Sequence, residues 1–306
     1  MSQSTHKHSI CLLMGNSHLG LKFIDLLTKK HTNEYEELLV GVYEIKDEFK
    51  KHLKDKKIKL IEINDKEQKE LKEHLNQKQH IVLIPPKKHD QSLLYSTLKL
   101  LDEIQPHYLG MVSWIGAKHS EGKMMSQMYA IEKCITAIKS KYRCILHCDL
   151  FQDELKLQAP AMQDKGKMVF SFGDKKFAPV YSQDIAIALI KLLMSKTEEL
   201  VEGEVHYKQF NGPKKLNGKE LVEIASTVLD MDYEYKKADR KETKKVLMMN
   251  EHVSEDKIDL LLDYYDLVAK GYAENPSDDL KKVLNIDPTP VDVFIQGHSN
   301  YFKPRS

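Results

Sequence analysis

No stretch of this sequence stays apolar for the roughly 20 residues that a membrane-crossing helix needs. The opening, MSQSTHKHS, lacks the apolar core of a secretory signal. Both absences speak against a membrane role and for a cytoplasmic one. Neither sign of charge is in excess: 47 lysines and arginines face 46 aspartates and glutamates, a net of +1. Such a balance gives no field to steer nucleic acid or an anionic membrane, and direct nucleic-acid binding is not expected. Net charge near zero favours self-association, so a protein partner or a second copy is the expected kind of partner. The four cysteines, Cys11, Cys134, Cys144 and Cys148, show no CxxC spacing and are expected to be buried, reduced thiols. The 14 histidines form no HExxH pattern, and His6 and His8 lie on the N-terminal tail. No metal site is expected. The sequence also lacks internal repeats and low-complexity linkers.

What is present suffices for one large domain, or a domain with a smaller lobe: 306 residues, 41% hydrophobic and 30% charged, can bury a core under a solvated surface. Up to residue 147 two patterns alternate. Apolar runs predict strands at 9–14 (SICLLM), 37–43 (ELLVGVY), 59–63 (KLIEI), 80–84 (HIVLI, stopped by Pro85-Pro86), 108–115 and 143–147. Helical spacing predicts helices at 19–27, 46–56, 66–75, 93–104 and 124–138. The runs are continuous and not alternating, as in strands buried on both faces. Alternation in units of about 25 residues implies βαβ crossovers and a doubly wound parallel sheet, an α/β fold. The later half is less regular. A hairpin is expected within 153–177, turning at Gly173-Asp174, with helices at 184–194, 216–229, 255–269, 277–284 and 291–296. Asn217 with Glu220 has capping-box spacing. The expected division is residues 1–150 as a Rossmann-like domain and 151–306 as a smaller C-terminal α/β lobe, with about 178–212 returning to the first.

The order of these pieces resembles the NmrA-like family, atypical short-chain dehydrogenase/reductases with an NAD(P)-binding Rossmann fold. The resemblance rests on CLLMGNSHLGLKFIDLL at the opening, HIVLIPP (80–86), MVSWIGA (111–117), RCILHCDLFQDEL (143–155), FAPVYSQDIAIALIKLL (177–193), the segment 206–235 and DLKKVLNIDPTPVDVFI (279–295). It spans nearly the whole chain and is more specific for fold than for activity. It implies NADP or NAD as cofactor.

The family's cofactor loop carries three glycines at three-residue intervals. One makes a tight turn, one lets the backbone approach a diphosphate, and one lets helix pack on strand, while the helix N-terminus faces the phosphates. Those places hold Met14, Ser17 and Gly20 here, with Gly15 one position out of register. The loop, Gly15, Asn16, Ser17, His18 and Gly20, reads either as a modified dinucleotide loop or as a turn that keeps only the fold. Ser17 and His18 can meet a phosphate. After the second strand, Tyr43 and Glu44 precede Lys46: Glu44 would accept from ribose hydroxyls, as for NAD, and Lys46 would meet the 2′-phosphate of NADP. Asn64, in Ile63-Asn64-Asp65, stands where the family meets adenine. Pro85, Ser113 and Trp114 complete a cleft expected at the C-terminal strand ends.

Short-chain dehydrogenases use a Tyr and a Lys one helical turn apart for proton transfer and ribose binding. Tyr129 and Lys133 have that spacing, but anchoring the helix on Glu132 puts Met124 and Met128 at the family's Tyr and Lys. The pair is displaced by five residues. The family's strand-exit Arg-Pro is His147-Cys148 here. Three readings stay open: a regulatory or interaction protein that binds NAD(P) weakly or not at all; an NAD(P)H-dependent oxidoreductase for a quinone-like or aromatic substrate; and a structural, self-assembling protein.

Overall fold

The computed structural model describes residues 8–54, 56–64, 68–75, 80–85, 91–194, 200–251 and 253–303. His6, Asp65 and Pro86, singled out above, and Lys66, where a helix was expected to begin, lie outside them. The first half runs β1 (His8–Leu13), α1 (His18–Lys30), β2 (Tyr35–Val42), α2 (Asp47–Leu53), β3 (Ile58–Glu62), α3 (Gln68–Leu75), β4 (His80–Leu83), α4 (Gln91–Ile104), β5 (Tyr108–Trp114), α5 (Lys123–Ala137) and β6 (Tyr142–Cys148). Every strand and helix expected there is found. After β6 come α6 (Ala159–Lys165), β7 (Lys167–Phe170), α7 (Ser182–Met194), β8 (Val205–Phe210), α8 (Gly218–Leu229), β9 (Glu234–Lys237), α9 (Arg240–Leu247), α10 (Glu255–Ala269), α11 (Asp279–Leu284), α12 (Val291–Gly297) and α13 (Ser299–Phe302).

The main sheet has seven strands in the order β3-β2-β1-β4-β5-β6-β8. The pairs β3–β2, β2–β1, β1–β4 and β4–β5 are parallel, with Leu12 opposite Val40 on one side and Val82 on the other. This is the doubly wound α/β fold expected. β4 and β5 are buried at every residue, which accounts for their unbroken apolar runs. α1 buries Leu19, Phe23, Ile24 and Leu27, one stripe at helical spacing, and each such side chain contributes roughly 1.5–3 kcal/mol. The order of strands reverses between β1 and β4, so the ends of those strands form the switch point at which ligands of such sheets bind.

The chain divides into two compact units. The first is Met1–Val112, Ile131–Leu146 and Ala186–Tyr207; the second is Ser113–Ala130, His147–Ile185 and Lys208–Ser306.

The expected hairpin is not formed. β7 pairs parallel with β9, a strand from far along the chain, in a separate two-stranded sheet. Gly173 does turn the chain with φ +67°, but Phe177 beyond it bridges to Leu216 and not back to β7. The helix α9 was not expected, because RKETKKVL is mostly charged; it is held by an Asp239 cap and by burying Thr243, Val246 and Leu247. The capping box is present: Asn217 Oδ1 accepts from Glu220 N at 2.9 Å, and Glu220 Oε2 accepts from Asn217 N at 2.8 Å.

Candidate functional site

The turn from β1 into α1 is built by Met14, Gly15, Ser17 and Gly20. Met14 takes the left-handed conformation, φ 62°, at the place where the family has its first glycine. Its N–H donates to the Gly41 carbonyl at 2.7 Å, and its side chain is 1% exposed. The strain of a non-glycine there, about 1–2 kcal/mol, is offset by burial of the side chain. Gly15 serves differently. A β-carbon on it would lie 2.7 Å from Val40 Cγ1 and 2.9 Å from Leu12 Cδ2, so the residue lets the turn lie on the strand ends. Gly20 faces the Gly15 backbone and leaves no room for a side chain. The turn therefore keeps its shape with the left-handed role moved onto methionine.

Ser17 is the N-cap of α1, and its Oγ accepts from Gly20 N at 3.0 Å. The hydroxyl proton remains a donor. The first turn of α1 carries no acidic residue, and Asn16 and His18 are exposed beside it. Unsatisfied N–H groups at a helix start, a hydroxyl donor and no carboxylate make a donor set that fits the diphosphate of a dinucleotide.

The neighbouring strands of the first unit end on the same side. Tyr43 is half-buried just past β2, and Asn64 is half-buried just past β3. Pro85 is buried just past β4, beyond Ile84, whose N–H donates to Leu13 O at 3.2 Å. Glu44 and Lys46, read separately as marks of NAD and of NADP, are exposed and pair with each other at 3.7 Å.

In the second unit, Ser113 and Trp114 close β5, and both are buried. Trp114 stacks on Phe151, ring centroids 5.6 Å apart, and tilts against Tyr264 at 5.1 Å. The Tyr264 hydroxyl donates to Asp149 Oδ1, a carboxylate with no solvent exposure. Asp149 also accepts from Leu150 N at 2.7 Å, Ala178 N at 2.9 Å and Asn211 Nδ2 at 3.0 Å. Burial raises the Asp149 pKa above the usual carboxylate range, and the donated hydrogen bonds, Tyr264 foremost, draw it back. Burial, with the Asp149 carboxylate beside it, also raises the Cys148 thiol well above its ordinary value and so opposes its ionisation.

Along α5, Met124, Met128 and Glu132 recur every four residues and all three are buried. This is the face on which the family's Tyr and Lys would stand. Tyr129 is half-buried and Lys133 exposed, on a different face of the helix. The start of α5 is held by Asp263, 2% exposed, whose Oδ2 accepts from Met124 N at 3.0 Å and Met125 N at 3.2 Å. Arg240 donates to its other oxygen at 2.7 Å. Gly122 is required beside it, since a β-carbon would collide with the Asp263 carboxylate. Neither Asp149 nor Asp263 was singled out in the sequence, where each is one aspartate among many and Tyr264 and Met124, to which they bond, lie 115 and 139 residues away.

Cys11, Cys144 and Cys148 are buried, and none of the four cysteines is in a disulfide. Among the described residues no group of three His, Cys, Asp or Glu is placed to hold a metal, and no helix is long and apolar enough to cross a membrane.

No protein-family profile matches the sequence, and no curated protein matches it. Solved structures do. The NADPH-dependent quinone oxidoreductase of Escherichia coli, complexed with NADPH, aligns with a TM-score of 0.79 over 95% of this chain and 99% of its own, at 17% identity. Triphenylmethane reductase of Citrobacter sp., complexed with NADP(H), aligns at 0.76 over 94% of this chain and 99% of its own, at 20% identity. NmrA, a negative transcriptional regulator in complex with NADP, aligns at 0.73 over 95% and 94%, at 8% identity. The chain has the Rossmann-type fold of the NmrA-like, atypical short-chain dehydrogenase/reductase proteins.

Proposed function

We propose that this protein is an NAD(P)-binding regulatory or interaction module, and not a dehydrogenase of the Tyr–Lys type. The observation that carries this reading is on α5: the face of the expected proton-transfer pair holds buried Met124 and Met128, neither of which transfers a proton. The turn at Met14–Gly20, by contrast, keeps two close-packed glycines and the donors that suit a diphosphate. A fold that keeps its phosphate turn and lacks an acid–base pair is suited to sensing a nucleotide. The regulator NmrA is a precedent for the same fold with NADP. Such a module would pass the signal to a protein partner or to a second copy of itself. A nicotinamide dinucleotide, when bound, supplies hydride chemistry; the protein's own part is to seat it through Ser17 and the first turn of α1.

The test is thermal. Melting is followed during titration with NADPH and with NADH. A ligand that binds only the folded state adds about 2.7 kcal/mol at 100 times its Kd. A rise with either nucleotide, without consumption of the reduced form, is the expected result. No rise at millimolar nucleotide would sink the proposal and leave a fold that only assembles.

A second reading, an NAD(P)H-dependent reductase of a quinone-like or aromatic compound, is favoured by the quinone oxidoreductase and triphenylmethane reductase among the similar structures. It does not need the Tyr, because orientation alone can align a hydride donor and acceptor. Oxidation of NADPH on addition of a quinone would establish it over the first.

A further inference from the structure

At the end of the first unit's sheet opposite to the β1–α1 turn, the N-terminal ends of β2 and β3 border an open depression of about 1030 Å³. Lys29, Lys54, Lys56, Lys57 and Lys59 line it, against Glu36 and Glu37. That is an excess of three positive charges at one place in a chain whose net charge is +1. Two of the lysines are occupied: Lys56 pairs with Asp25 at 3.1 Å, and Lys59 Nζ lies 3.3 Å from His74 Nδ1. Lys29, Lys54 and Lys57 are exposed and form no ion pair among the described residues. Lys29 and Lys54 stand at the carbonyl ends of α1 and α2, where a cation is favoured by the helix dipole. Lys57 has no such reason to be there; it precedes edge strand β3 and adds its charge to the same depression.

We infer that this depression is a binding site for a small polyphosphorylated anion, separate from the nucleotide turn. The lining selects the class. Five lysines line it, and lysine serves phosphate as a point charge. Its single aromatic residue, Tyr35, is 7% exposed and offers no stacking face for a base. Thr32 and Asn33, both exposed, add neutral donors. The volume is at the upper end of the roughly 300–1,000 Å³ of ordinary small-molecule sites.

The probe is inorganic tripolyphosphate, titrated calorimetrically into the full chain at fixed ionic strength. Saturable binding is expected, weakened roughly a hundredfold in Lys54→Ala/Lys57→Ala, since each charged donor lost costs about a factor of ten. Lys57→Arg should retain binding. Lys245→Ala, which removes an exposed lysine of α9 outside the depression, should leave tripolyphosphate affinity unchanged. Both lysines are exposed, so the melting curve of the double variant reports whether folding is intact. Absence of saturable binding, equal affinity in the double variant, or an equal loss in Lys245→Ala would overturn the inference. Tighter binding of a single-stranded oligonucleotide, lost in the same double variant, would also overturn it, in favour of a nucleic-acid surface.

Discussion

Gly20, in the first turn of α1, rests directly on the backbone carbonyl of Gly15, so the helix and the turn before it are one packed unit. A side chain on Gly20 has only backbone to push against, and backbone cannot swing aside as a side-chain tip can. Gly20→Ala is therefore expected to destabilise the protein by about 1–3 kcal/mol through overpacking. It should also abolish nucleotide binding by lifting the start of α1. Denaturant unfolding together with the NADPH titration checks both. Full stability in Gly20→Ala would mean that the turn is looser than this packing implies.

Met14 gives the opposite kind of test. Its backbone is strained, its side chain is buried, and neither points to a group standing in the path of a ligand. Met14→Gly relieves about 1–2 kcal/mol of strain but forfeits a side chain whose truncation costs about 2–5 kcal/mol. A net loss of about 1–3 kcal/mol is expected, with NADPH affinity within about twofold of the parent. An increase in affinity of tenfold or more would show that the methionine obstructs the diphosphate, and that the family glycine was lost at the expense of binding.

The α/β alternation was legible because strands buried on both faces are written as short unbroken apolar runs, and Gly20 and the Asn217–Glu220 box were legible because turns and caps are local. β7 and β9 were not. KMVF and EYKK are four residues each, and β9 carries a charged or polar residue at all but one position. Nothing local tells that Met168 lies opposite Tyr235. The turn at Gly173 was read correctly as a turn and wrongly as a hairpin, because a glycine fixes the backbone angle and not the destination of the chain. The extent of α5 was legible from its apolar spacing; the clamp on its N-terminus by Asp263 was not, since Met124 and Asp263 are 139 residues apart.

The Asp149–Tyr264 pair makes a pH prediction. Burial holds the folded pKa of Asp149 above the usual carboxylate value. Between those two values the folded state binds a proton that the unfolded state has released. Stability through this group is thus fullest in acid and is lost as pH rises through the folded pKa. Tyr264 donates to the ionised form, so Tyr264→Phe moves the folded pKa higher still. The variant is expected to cost about 1 kcal/mol at about pH 4 and about 1.5–3 kcal/mol at about pH 8, where a hydrogen bond to a charged group is lost. Urea melts at the two pH values measure the difference. A cost that does not change with pH would mean that Asp149 keeps the same protonation state throughout.

Tyr129 and Lys133 have the spacing of a dehydrogenase pair, and on the proposed reading they are not one. One is half-buried, the other is in solvent, and both are off the face that Met124 and Met128 occupy. Were they the proton donor and the ribose-binding lysine, Tyr129→Phe would lower any turnover by about 10²–10⁴-fold, the usual worth of a general acid. The expectation here is that Tyr129→Phe and Lys133→Ala leave both nucleotide affinity and any NADPH oxidation by a quinone within about twofold. The two variants are compared by initial rate at saturating quinone and by Kd for NADPH, which separates loss of chemistry from loss of binding. A fall in rate for Tyr129→Phe with unchanged Kd would reinstate the pair as catalytic and overturn the register drawn from Glu132. A rise in Kd alone for Lys133→Ala would place the lysine at the ribose without making the protein a Tyr-dependent enzyme.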